Sequence, residues 1–89
     1  MFLIRKKSLE MLIKLYPEFS ENLSIPNPRF RGIKYSDDEI LKCLHYMIDA
    51  EYITAEKDFQ KHFPAIEEIH ITAKGIDWVE NNLNISEQS

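Results

Sequence analysis

Few side chains in this sequence are of the kinds that do covalent or metal chemistry, and their spacing gathers few of them. The single cysteine, Cys43, is followed two residues later by His45. A thiol becomes a strong nucleophile when a neighbouring base takes its proton, but residues two apart on a helix point to different faces. Cys43 therefore reads as a packing residue or an inert surface thiol, and His45, beside an apolar stripe, as a partly buried, satisfied histidine. His62 and His70 can face each other across a hairpin, with Asp58 or Glu68 nearby. A metal needs at least three convergent ligands, and nothing here fixes that geometry. Gly32 and Gly75 stand alone, so no glycine-rich loop cradles a phosphate. No catalytic residue, metal site, cofactor or small-molecule substrate is expected, and the chain is not read as an enzyme.

Charge carries more information. Residues 1–34 hold seven basic residues against three acidic ones, +4, whereas residues 35–89 hold four against twelve, −8, for a net charge of −4. Arg29, Arg31 and Lys34 form a basic run interleaved with Phe30 and Tyr35, and Lys42, Lys57 and Lys61 follow. Basic side chains with aromatics between them suit an anionic partner such as a nucleic-acid backbone. The competing reading is a solvated loop whose arginines pair with Asp37 and Asp38. Phe59 and Phe63, beside Pro64, form a second group. They either fold back on the hairpin or on Trp78, or offer a surface to a protein partner or a second copy. Phe2, Leu3 and Ile4 are candidates for the same kind of contact, or for the core or a short strand.

These residues must be positioned by a small set of elements. Leu9, Leu12, Ile13 and Tyr16 recur at helical spacing and predict a helix over about 4–16, stopped by Pro17. Residues 17–35 read as irregular, because prolines at 26 and 28 exclude a regular helix. A helical turn at about 18–23 and a brief edge strand at Ile33 and Tyr35 are the structures to expect there. Ser36-Asp37-Asp38-Glu39 is a capping box, and Ile40, Leu41, Leu44, Met47 and Ile48 then share one face, predicting a helix that ends near Ala50 or Glu51. Tyr52–Ala55 reads as a strand, residues 57–65 as a loop, and Ile66–Thr72 as a strand that alternates, with Ile69 and Ile71 on one side. Thr72 caps a closing helix with Ile76, Val79 and Leu83 inward and Trp78 alongside. The asparagines at 81, 82 and 84 weaken its end.

An 89-residue chain has room for one domain and one core. Apolar content of 44% and charged content of 29% are those of a folded soluble protein. We read residues 1–85 as a single domain and 86–89 as a frayed tail. One cysteine excludes an intrachain disulfide and fits a cytoplasmic setting. No window approaches the roughly 18 apolar residues that span a bilayer, so no membrane association is expected. The opening apolar run precedes its charges, the reverse of a signal peptide.

Two stretches carry a family resemblance. Leu44-His45-Tyr46-Met47-Ile48-Asp49-Ala50-Glu51-Tyr52-Ile53 resembles the helix-to-strand junction of winged-helix domains, commonly L-x-x-L-x-x-A-G-Y-I. Ile71-Thr72-Ala73-Lys74-Gly75 resembles the L-T-x-K-G that ends their second wing strand. With the first helix, the chain is similar to small single-domain winged-helix proteins of phages and prophages, including the YjcQ-like family, whose function is largely unassigned. The resemblance implies an α+β winged helix with a truncated helix-turn-helix, a two-stranded hairpin wing and a C-terminal helix. It departs at Glu51, where glycine is usual because the position often takes positive φ, and at residues 20–34, where prolines stand in place of a middle helix. In DNA-binding members the helix before the wing enters the major groove. Here its first turn holds three carboxylates, which phosphates repel. Two readings follow. One is a small nucleic-acid-binding transcriptional regulator of phage or mobile-element origin, contacting DNA through Arg29, Arg31, Lys34, Lys42, Lys57 and Lys61. The other is a protein-interaction module, a homodimer or a modulator of another protein, that has lost DNA readout.

Overall fold

A computed structural model describes residues 3–19, 22–30 and 32–87. The order is α1 (Ile4–Leu15), a 3-10 turn (Tyr16–Glu18), β1 (Ser24–Pro26), α2 (Asp37–Asp49), β2 (Ile53–Ala55), α3 (Phe59–His62), β3 (Glu68–Ile71) and α4 (Ala73–Glu87). Among the described residues the fold is α+β, four α-helices with one three-stranded antiparallel sheet in the order β1-β3-β2. No helix among the described residues is long and apolar enough to cross a membrane.

The core lies between the sheet and helices α1, α2 and α4. α2 forms as its sequence demands. Ser36 Oγ accepts from the Glu39 amide at 3.2 Å, and the Glu39 carboxylate accepts from the Ser36 amide at 3.0 Å. Ile40, Cys43, Leu44 and Met47 are buried along one face, so Cys43 is a core residue, and burial pushes its thiol pKa up. α1 packs against α2, but its buried stripe is Ser8, Met11, Leu12 and Leu15. Leu9, Ile13 and Tyr16, expected at the centre, are half-buried at its edge. The polar Ser8, fully buried, conceals the true stripe from a hydrophobicity count.

The expected two-stranded hairpin is a three-stranded sheet. β2 and β3 pair as anticipated, Ile53 opposite Ile71 and Ala55 opposite Ile69. β1 adds to the other side of β3, with Ile25 opposite Ile69, and the Ile71 amide donates to Leu23 O at 2.9 Å. An edge strand tolerates Pro26. Leu23 and Asn27, bracketing it, have positive φ of 56° and 48°, which confines it to three residues. Ile33 and Tyr35 form no strand. The β2–β3 connection, read as loop, contains the short helix α3. α4 continues through residues 86 and 87, beyond the expected fray, and 88–89 fall outside the described residues.

The α2–β2 junction explains both resemblance motifs. Glu51 has φ +67°, the left-handed conformation for which glycine is usual. The Thr72 hydroxyl donates to Glu51 O at 2.6 Å and accepts from the Gly75 amide at 3.0 Å, capping α4 as predicted. A Cβ on Gly75 would lie 2.1 Å from Tyr52 O, so this helix can sit on the β2 backbone only without a side chain there. Above it Tyr52 stacks on Trp78 at 4.0 Å and 15°, with Lys74 Nζ 5.6 Å from the Tyr52 ring centroid.

Candidate nucleic-acid interface

The basic run lies on a loop that is pinned at several points. Phe30 is 7% exposed with φ +54°, its carbonyl accepts from the Ile33 amide at 3.2 Å, and its ring lies 6.1 Å from Phe63 at 36°. Burying that ring leaves Arg29 exposed beside it. Arg29 shares one shallow depression with Asp37, Pro64 and Ala65, and another with Glu18 and Pro28. It thus sits where the loop, the start of α2 and the segment after α3 meet. Lys57 and Lys61 are exposed on the connection between β2 and β3. Arg31 lies outside the described residues.

Lys34 is placed apart. It lines a groove against α1 with Glu10, Ile13, Lys14, Ile33 and Tyr35. Lys42 is exposed on α2 and paired with Asp38 at 3.2 Å. The structure therefore brings Arg29 to the segment after α3, places Lys34 in the groove against α1, and leaves Lys42 locally compensated. Arg29 makes no ion pair with Asp37 or Asp38 within 4.0 Å, and neither Lys34, Lys57 nor Lys61 has a carboxylate within that distance among the described residues.

The aromatic pair changes role. Phe59 is 5% exposed and part of the core, and Phe63 is half-buried against Phe30. As a partner-surface residue Phe59 is corrected: burial of its apolar area ties α3 to the core and leaves it no face to offer. His45 is corrected as well. It is exposed, with its ring 5.0 Å from that of Phe59. The signal was in the spacing, since Asp38, Lys42, His45 and Asp49 recur at i, i+4, i+7 and i+11, one solvent face of α2. That face holds two aspartates and one lysine.

His62 and His70 do not meet. His62 Nδ1 lies 3.6 Å from Glu56 and His70 Nε2 lies 3.7 Å from Glu68. No group of three histidine, cysteine or acidic side chains is arranged to hold a metal among the described residues.

No family model, no curated protein and no solved structure matches this chain.

Proposed function

We propose that this chain is a winged-helix-like, nucleic-acid-binding regulator that grips the phosphate backbone with the 28–34 loop and the wing. The observation that carries the reading is the Phe30–Phe63 contact, which docks the basic loop onto the wing and sets Arg29 beside the segment that follows α3. The strand order β1-β3-β2, with β1 between the first helix and the capped helix, supports the winged-helix assignment. Cationic side chains free of carboxylate partners are the ones that can release counterions from a duplex. Arg29, Lys57 and Lys61 meet that condition among the described residues. Lys42, bound to Asp38, does not.

α2 is not the reading element in this mechanism. Asp37, Asp38 and Asp49 on its exposed surface would face phosphates on either wall of the major groove and be repelled. Binding is thus carried by backbone contacts that position the protein, with little base discrimination. A regulator of this kind acts in the cytoplasm, where its nucleic acid lies.

Fluorescence anisotropy with a labelled duplex at low salt tests this. Wild type binds unrelated duplexes with similar affinity, and the Arg29→Ala/Lys57→Ala/Lys61→Ala variant binds all of them at least tenfold more weakly, since each lost phosphate contact weakens binding uniformly across sequences. Absence of wild-type binding at low salt overturns the proposal. The same acidic surface of α2 favours a second reading, a module for a basic protein partner. That reading requires Asp38→Asn/Asp49→Asn to weaken the partner's binding while leaving the duplex titration unchanged.

A further inference from the structure

The groove between α1 and the basic loop has the makings of a ligand site. It is half-open, with a volume of about 330 Å³, and is lined by Ile13, Ile33 and Tyr35 with Glu10, Lys14 and Lys34 around them. Ligand pockets begin at about 300 Å³ and are mostly apolar with a few polar groups that fix orientation. A cavity of about 150 Å³ already holds a benzene ring, so one ring fits here with room for a short polar arm.

The charges of the lining are unequal in availability. Glu10 is engaged within the protein: Tyr35 Oη donates to its carboxylate at 3.1 Å, and Lys7 Nζ lies 3.5 Å from it. Tyr35 also donates to Lys7 O at 3.4 Å. Burial, with the neighbouring Glu10 carboxylate, pushes the Tyr35 phenol pKa up to about 12, so it stays a neutral donor. Lys14 donates to the Gly32 carbonyl at 3.5 Å, and neither Lys14 nor Lys34 has an ion-pair partner among the described residues. Two lysines without ion-pair partners among the described residues thus line the same groove as Ile13, Ile33 and Tyr35.

We propose that this groove binds a small free carboxylic acid with an apolar body, its ring or branched chain on Ile13, Ile33 and Tyr35 and its carboxylate between Lys14 and Lys34. The groove's wall is the loop that carries Arg29, and its rim includes Lys34. Ligand occupancy therefore changes the charge and position of that loop, and by linkage nucleic acid and acid alter each other's affinity by the same factor. Only this coupling rests on the nucleic-acid reading; the site itself does not.

The test is a ¹H–¹⁵N NMR titration of the full chain with phenylacetate and no nucleic acid present. Saturable shifts are expected at the amides of Ile13, Lys14, Gly32, Ile33 and Tyr35. The alcohol 2-phenylethanol, with the same ring and no charge, should bind about tenfold more weakly, as expected for loss of a charge-assisted contact. Lys14→Ala/Lys34→Ala, two exposed positions that leave the fold intact, should reduce phenylacetate affinity to that of the alcohol. Equal binding of the two ligands by wild type, or an unmoved groove, overturns the proposal. So do the same shifts on concentrating the protein alone, which assign the groove to a second copy. Tighter binding of a capped Phe-Asp peptide overturns it too, assigning the groove to a protein segment.

Discussion

Gly75 shows how one missing side chain fixes the meeting of two elements. The first turn of α4 lies against the β2 backbone so closely that a methyl group would overlap Tyr52 O at 2.1 Å and meet Ile71 Cγ1 at 2.9 Å. The obstacle is backbone, which cannot rotate away. Gly75→Ala should therefore cost about 3 kcal/mol, the upper range for overpacking, read as a lower urea midpoint. A change below about 0.5 kcal/mol would mean that the helix shifts without loss. The sequence already displayed this residue within its Thr-Ala-Lys-Gly motif, but only the coordinates show what the glycine admits. Glu51 is the converse. Its positive φ was legible from the resemblance, and the chain holds a glutamate there all the same, with its carbonyl bound by Thr72. Trp78 Nε1 is buried with no hydrogen-bond partner among the described residues, while its ring stacks on Tyr52.

Among the elements, legibility followed the strength of local signals. The capping box announced the start of α2 to the residue, and alternation of Ile69 and Ile71 with exposed neighbours announced β3, which is shorter, Glu68–Ile71, than the expected 66–72. β1 left no such trace. Three residues carry no period, and the left-handed Leu23 and Asn27 that isolate the strand are set by pairing with β3, a long-range fact. Likewise Phe59 looked like a loop aromatic because its four-residue helix is too short to be seen as periodic; tertiary burial decides its place. The loop between β1 and α2 is tied to α1 by Tyr35, and this tie makes stability depend on pH in a defined way. The Tyr35 phenol, ordinarily near 10.0, is raised to about 12 by burial and by Glu10. The folded state thus holds the proton longer than the unfolded chain. Its contribution is complete below about pH 10 and is lost as pH rises towards 12. Glu10, held below its ordinary 4.5 chiefly by the Tyr35 hydrogen bond, contributes above pH 4.5 and loses that contribution as pH falls further. Chemical denaturation across both windows should show steeper losses in wild type than in Tyr35→Phe. Parallel profiles for the two proteins would show that the tie contributes nothing.

At the scale of the whole molecule, a chain of net charge −4 can contact a polyanion only by segregating its charges. The uneven halves of the sequence announced that segregation. They did not announce its limits: Lys42 is paired with Asp38, Lys34 lines the groove against α1, and Arg29 sits beside the segment that follows α3. The partner could not be read from the sequence, because the same scaffold serves contacts of either kind. The measurement that reaches furthest is the salt dependence of duplex binding. Neutralising Z phosphates gives a slope of log K against log salt of about −0.9Z. Contacts from Arg29, Lys57 and Lys61 therefore predict a slope of about −3 that is independent of duplex sequence and falls by about one unit for each of the three replaced by alanine. A slope near zero, or one that these substitutions leave unchanged, would contradict the account.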